Sequence, residues 1–334
     1  MVAVERLQAG EIDLVSSDGT LLNSVSANLD DPNVGPVPMG VGETGVYLYY
    51  PATGAIDLLG LTGPPQDVGQ TTPNVSGGSS SLAGLAESPN GECWIFSLVS
   101  WTYGGSADSA TSQLYVGGIG SSPLLVATLD RTVGYQVLSW DASGVLLGTE
   151  LTGIGGGPAP FTWTDGVDLQ IVVDFDPVTG DVSTPLCSTT TDSFRDIAPG
   201  GTVACAVQGT SDAEIQVRSP DGSITTIPTG SPLAGHVRFV DGTSLLTYCT
   251  SDDQEVGDTQ FTEDLWSVEI GSATPSPQML MTGDLSWCEG GVVAGTSSIA
   301  ELGGGADTTS IVLINLSSGQ TTTVAPADEL LGVL

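Results

Sequence analysis

LSWDASGVLLGT, from Leu138 to Thr149, returns as LSWCEGGVVAGT, from Leu285 to Thr296, 147 residues further along the chain. The shared Leu-Ser-Trp, Gly and Gly-Thr positions fit three periods of 49 residues and place Trp140 and Trp287 at equivalent points of a repeat. A Gly-containing turn marks the same stretch five times: SPNG ending at Gly91, DASG at Gly144, APGG at Gly201, VDG at Gly242 and CEGG at Gly291. Their intervals of 53, 57, 41 and 49 residues average 50. Self-similarity at such a period means an array of supersecondary units, none able to bury its apolar face alone.

A second turn recurs seven times, as DLVSSDGTLLNSV around Gly19, YLYYPATGAIDLL around Gly54, VDFDPVTGDVSTP around Gly180, QVRSPDGSITTIP around Gly222 and VLINLSSGQTTTV around Gly319, with looser copies near Gly120 and Gly271. In each, apolar residues flank a turn whose positive φ glycine supplies without steric cost. Strand, turn, strand, variable loop and hairpin give four antiparallel strands per unit, the pattern of a propeller blade. The expected fold is all-β, a β-propeller of seven four-stranded blades in one domain, residues 1–334. The Gly54 hairpin follows Gly19 by only 35 residues, which predicts short inner strands and a degenerate blade there. Val217, Ile224, Val312 and Ile314 are expected to carry burial in the hairpins. An open end would expose a strand edge and an apolar face. The termini are therefore expected to share one blade, residues 1–27 with 326–334, and to set ELLGVL (Glu329 to Leu334) beside Val2 to Leu7.

The SPNG, APGG and SPDG turns, each followed by a strand and a short hairpin, resemble the repeats of TolB-type, WD-repeat-like propellers over Gly84 to Val324. The resemblance implies an architecture that serves periplasmic scaffolds, peptidase propeller domains and secreted proteins alike. It carries over no catalytic residue, because no second, peptidase domain accompanies the repeats.

Gly 46 and Pro 20 leave little room for long helices, and a 40% hydrophobic content suffices for a sizeable core. No apolar run reaches the length of a membrane-spanning helix, so no membrane insertion is expected. The 39 acidic residues face five basic ones, all Arg, for a net charge of -34. Such a surface repels phosphate backbones and excludes nucleic acid as a partner. It suits solubility, tolerance of salt, or a basic protein or glycan partner, and a monomer is expected. Cys93, Cys187, Cys205, Cys249 and Cys288 form no CxxC pair, and with His236 as the one imidazole a zinc site is not expected. The cysteines read as small buried residues, with one or two disulfides as the alternative. Residues 1–22 lack the basic start and apolar core of a signal peptide.

Gly40-Val-Gly42-Glu-Thr-Gly45 satisfies GxGxxG, but VYLYY follows it as a strand pattern, so it reads as a loop and not as a dinucleotide site. The glycine runs at 155–157 and 303–305 read as connectors. His236, in HVRFVDG, lies on an expected innermost strand, where a packed imidazole is common and a catalytic base is not. Arg195 and Arg238 fall near inner strands too. DDQEVGDTQFTED offers Asp252, Asp253, Glu255 and Asp258 as candidate oxygen ligands for Ca²⁺, without the spacing of a helix-flanked calcium loop, and Asp174 with Asp176 is a similar pair; at both, a solvated acidic loop is the favoured reading. Trp101, Tyr103, Phe161 and Trp163 sit in expected rim loops, where propellers place binding residues.

These features favour a non-catalytic binding or scaffold propeller of the extracellular space or cell envelope, with no cofactor. The alternative is a carbohydrate-binding or carbohydrate-active propeller that uses the acidic and aromatic rim loops, with calcium at the acidic one.

Overall fold

The computed structural model describes residues 2–6, 10–27, 36–42, 44–71, 79–102, 109–118, 120–131, 134–141, 144–150, 172–183, 186–187, 192–198, 201–207, 212–231, 233–240, 244–251, 263–270, 275–283, 291–292, 298–303, 309–327 and 329–333. All regular structure among them is β, and every strand pairing with a described register is antiparallel. No helix of the structure is long and apolar enough to cross a membrane.

Seven sheets follow one another along the chain among the described residues. The first holds β1 (Val2–Arg6), β2 (Glu11–Val15) and β3 (Leu21–Ser26); the second holds β4 (Val37–Gly42), β5 (Gly45–Tyr50), β6 (Ala55–Gly60) and β7 (Gln66–Gln70). The third has β8 (Ser79–Glu87), β9 (Cys93–Thr102), β10 (Ser109–Gly118) and β11 (Leu124–Arg131). The fourth has β12 (Gly134–Asp141), β13 (Gly144–Glu150) and β14 (Val172–Phe175). The fifth comprises β15 (Asp192–Ala198), β16 (Thr202–Val207), β17 (Glu214–Arg218) and β18 (Ile224–Pro228). The sixth comprises β19 (Leu233–Phe239), β20 (Leu245–Ser251), β21 (Glu263–Glu269) and β22 (Gln278–Gly283). The seventh comprises β23 (Gly291–Val292), β24 (Ser298–Gly303), β25 (Ser310–Asn315) and β26 (Thr321–Pro326). The last strand, β27 (Glu329–Val333), returns to the first sheet, whose order is β27-β1-β2-β3.

The chain divides into two compact units, one of Met1–Pro160, Val172–Thr184 and Leu331–Leu334, the other of Phe161–Ile171 and Pro185–Leu330. In the first unit VYLYY shows why the sequence reads as a continuous apolar run. Val46 and Leu48 of β5 pack with Ala3, Ile12, Leu14 and Leu59, while Tyr47 and Tyr49 on the opposite face pack with Leu85, Trp94 and Phe96. A strand buried on both faces loses the polar half of its alternation. Trp94 stacks on Phe96 with centroids 5.5 Å apart, and Phe96 on Tyr115 at 5.2 Å. In the second unit Ala204, Ile215 and Val217 of the fifth sheet meet Leu246, Tyr248 and Val268 of the sixth, and Cys249 and Leu265 meet Ile299 and Ile314 of the seventh.

Several expectations are corrected. Gly54 lies between β5 and β6, the second and third strands, and not in the outer hairpin of its sheet. The equivalent of the other outer turns is Gly63, between β6 and β7, with φ of 83° and 44 residues after Gly19. The short interval was a misassigned turn, since either Gly turn is flanked by apolar strands. The second sheet thus has four strands, and the fourth has three among the described residues, with a bridge Phe175↔Val182 beyond β14.

The glycines of GxGxxG lie in strands and not in a loop: Gly40 and Gly42 in β4, Gly45 in β5. β4 packs so closely on β8 that a Cβ at Gly40 would come 2.1 Å from the Leu85 carbonyl oxygen. Ile224 is 58% exposed, because β18 is an outer strand whose buried face is marked by Ile227; Val217 and Ile314 are buried. Cys187 and Cys205 form a disulfide and Cys249 is disulfide-bonded as well, while Cys93 is free. Gly144 and Gly291, aligned by the repeated segment, take different places: Gly144 opens the second strand of its sheet and Gly291 the first. In the seventh sheet Ser298–Gly303 supplies the second strand. Trp140 is half-buried on β12, and Trp287 lies outside the described residues.

Candidate functional site

Several of the described carboxylates shape turns. Asp18 takes the Ser16 hydroxyl and the Thr20 backbone N–H in the β2–β3 hairpin, and its carboxyl is held below the usual range first by Ser16, then by Thr20. Asp221 accepts the Ser223 N–H at 2.9 Å and is likewise lowered by Ser223. Asn315 plays the same part with its amide oxygen, which accepts from the backbone N–H groups of Ser317 and Ser318 at 3.1 and 3.0 Å. These are side-chain turns that replace missing backbone partners. Glu87 works between sheets: buried at the end of β8, it accepts the Thr44 hydroxyl at 2.8 Å from the β4–β5 turn. Burial first, then the Glu87 charge, pushes the Tyr47 phenol above its ordinary value.

The fourth sheet departs from this economy. Its β14 strand is followed by Asp176, whose carboxylate caps the next turn, accepting the Val178 N–H at 2.7 Å and the Thr179 hydroxyl at 3.0 Å. The Val178 bond leads in holding Asp176 below the usual carboxylate range. After Gly180 the Asp181 carbonyl accepts the Asp176 N–H at 3.0 Å, and the Ser183 N–H donates to the Asp174 carbonyl of β14 at 2.9 Å. Beside this segment is a hollow of about 290 Å³, lined by Gly144, the stretch Asp174 to Pro177 and the stretch Asp181 to Ser183. A Cβ at Gly180 would lie 3.9 Å from the Val126 carbonyl, so this turn sits beside β11, the outer strand of the third sheet. There the surface is apolar: Val178 is 91% exposed, Leu124 69% and Leu125 44%.

Asp174 and Asp176 of the sequence-expected calcium pair therefore belong to this hollow, joined by Asp181, which spacing had not singled out. Among the described residues no group of three or more His, Cys, Asp or Glu side chains is placed to hold a metal ion. Asp252, Asp253, Glu255, Asp258, Tyr103, Phe161 and Trp163 lie outside the described residues. Trp101 is not in a loop: it lies in β9, paired with Ala110 of β10 and Ser79 of β8, because the β9–β10 hairpin runs on past the expected strand end. His236 lies on β19, the first strand of its sheet, at a register shift between Gly235 and Arg238. Equivalent shifts mark the first strands at Pro38/Gly40, Ala83/Leu85, Val137/Ser139 and Phe194/Asp196, the last containing Arg195. This recurring bulge has no simple residue signature; Met39, Gly84, Leu138 and Arg195 occupy it in turn.

No protein-family model and no curated protein matches the sequence. Solved structures do match. A functionally unknown protein from Desulfotomaculum acetoxidans DSM 771 is 11% identical, with 99% of this chain and 96% of that one covered and a TM-score of 0.50. Prolyl oligopeptidase B from Galerina marginata is 12% identical at a TM-score of 0.53, over 88% of this chain; the match spans 44% of the oligopeptidase. TolB from Acinetobacter baumannii is 10% identical over 85% of this chain and 63% of its own, and its TM-score of 0.47 is too low to carry an argument. At such identities the likeness shows fold alone, and it supports a propeller-type architecture.

Proposed function

We propose that this chain is a non-catalytic binding or scaffold module of the extracellular space or cell envelope, built on a closed propeller whose blades are the seven sheets. The observation that carries this is the use made of polar side chains: Asp18, Asp176, Asp221 and Asn315 fasten turns, and Glu87 latches one sheet to the next. Side chains spent in this way make a rigid frame that presents its outer surface. Closure is favoured by β27 lying beside β1 and by burial on both faces of the first sheet. Ala3, Ile12 and Leu14 face the second sheet, yet Val2, Val4, Asp13 and Val15 on the other face are buried too. An end blade would leave one face in water. The bonded Cys187, Cys205 and Cys249 favour an oxidising compartment, where disulfides form and persist.

Incubation of the purified protein with peptide, ester and glycoside reporter substrates tests the reading. No turnover above buffer is expected. Turnover that is lost when a surface carboxylate is replaced would make the protein an enzyme and end the proposal.

A further inference from the structure

Single apolar side chains scattered over a soluble surface are ordinary. Among the described residues the two most exposed large ones, Val178 and Leu124, lie two residues from Gly180 and Val126, where two elements adjoin, and Leu125 of the same strand is exposed as well. Alongside is the hollow at the edge of β14, into whose lining Asp174, Asp176 and Asp181 bring three carboxylates; no Lys, Arg or His is among the described lining residues. Exposed apolar side chains next to a hollow whose charged described lining residues are all acidic are complementary to one kind of chain. We infer that this face docks an extended segment of another protein in which a large apolar side chain stands next to lysine or arginine. This rests on the binding-module reading and gives it a place and a partner chemistry.

Charge complementarity selects that occupant. Leu124, Leu125 and Val178 gain by losing water to an apolar side chain, and the aspartates steer and orient the neighbouring cation. A carboxylate capping a turn keeps lone pairs for a further donor, so Asp176 serves both purposes. A second copy of this chain is a poor fit, since it carries no lysine and only five arginines against 39 acids.

Fluorescence anisotropy with three labelled nine-residue peptides tests the docking surface, the residues alternating leucine with lysine, serine with lysine, or leucine with glutamate. The leucine–lysine peptide is expected to bind best. Leu124→Ser with Val178→Ser should weaken it about tenfold at constant salt, and Asp181→Asn should flatten its salt dependence. Equal binding of the serine–lysine peptide, or unchanged affinity in the double serine variant, would reduce the effect to the diffuse field of the -34 net charge and overturn the inference. So would sedimentation showing a parent dimer that the double variant dissolves, because the occupant would then be a second copy. Any of these results leaves the module reading standing, whereas carboxylate-dependent turnover in the substrate assays removes that reading itself.

Discussion

Ser97 of β9 donates its hydroxyl to the backbone carbonyl of Tyr135 on β12, a buried bond of 2.6 Å. On the same residue the Tyr135 N–H donates to the Ser112 hydroxyl of β10 at 2.8 Å. Two serines of the third sheet thus satisfy both backbone groups of one residue in the fourth, at a point where neither belongs to a ladder shared by the two sheets. Ser97→Ala leaves the carbonyl without its buried donor, a loss of about 1–3 kcal/mol. Urea unfolding should show a lower midpoint with an unchanged slope. A midpoint equal to the parent's would mean the bond contributes nothing.

Trp94 is held by the absence of side chains opposite it. A Cβ at Gly117 would lie 2.3 Å from the Trp94 ring and one at Gly69 2.6 Å from it. Gly117→Ala should therefore destabilise by about 1–3 kcal/mol through overpacking and alter the near-ultraviolet signal of the Trp94–Phe96–Tyr115 stack. Wild-type stability in that variant would mean the indole has room to move.

Asp57 and Asp67 stand directly opposite each other on β6 and β7. Burial first, then the Asp67 charge, raises the Asp57 carboxyl above its ordinary 3.8. The folded protein therefore holds that proton to higher pH than the unfolded chain, and this site loses stability as pH rises from 3.8 through the raised value. Asp57→Asn should stabilise by about 0.5 kcal/mol at neutral pH, with the gain fading toward pH 3.8. Asp221 acts with the opposite sign: its lowered carboxyl contributes above 3.8, and that contribution is lost in acid. A Tm comparison of D57N with the parent across pH decides it, and a variant less stable at neutral pH would reverse the assignment.

Added salt should raise the Tm. With a net charge of -34, screening relieves self-repulsion, and sulfate further strengthens apolar burial. A Tm that falls in sodium sulfate on the order of 1 M would show that repulsion does not limit this fold.

Much of the fold was legible because it rests on turns. Gly19, Gly91, Gly180, Gly201, Gly222 and Gly319 all lie at positive φ between strands of one sheet or, at Gly180, before the residual bridge. What a turn does not declare is which pair of strands it joins, as at Gly54, whose turn joins the second and third strands of its sheet. A seven-position identity likewise did not fix strand order, as Gly144 and Gly291 show. The candidate site was harder to read. Asp174 and Asp176 stand out as a pair, but the hollow they line, the presence of Asp181 in that lining and the neighbouring Leu124 depend on how two sheets lie together. Serines such as Ser97 and Ser112 look like any others until Tyr135 is brought to them.

The C-terminal strand gives the most demanding test. β27 is the edge neighbour of β1 in the first sheet, and Leu331 packs against the cluster of Ala3, Ile12 and Leu14. Removing residues 329–334 would strip β1 of its edge neighbour and uncover part of that cluster. It would also break the proposed closure, at which the first strands of the chain are held by its last. The loss should be on the order of several kcal/mol from apolar burial alone, with a lower Tm, a larger hydrodynamic radius and proteolysis beginning near Val2 to Arg6. A synthetic ELLGVL peptide added in excess should restore part of the Tm, since a strand that pairs at an exposed edge can do so as a separate chain. A truncated protein that melts like the parent would leave β27 as an ornament and the ring open.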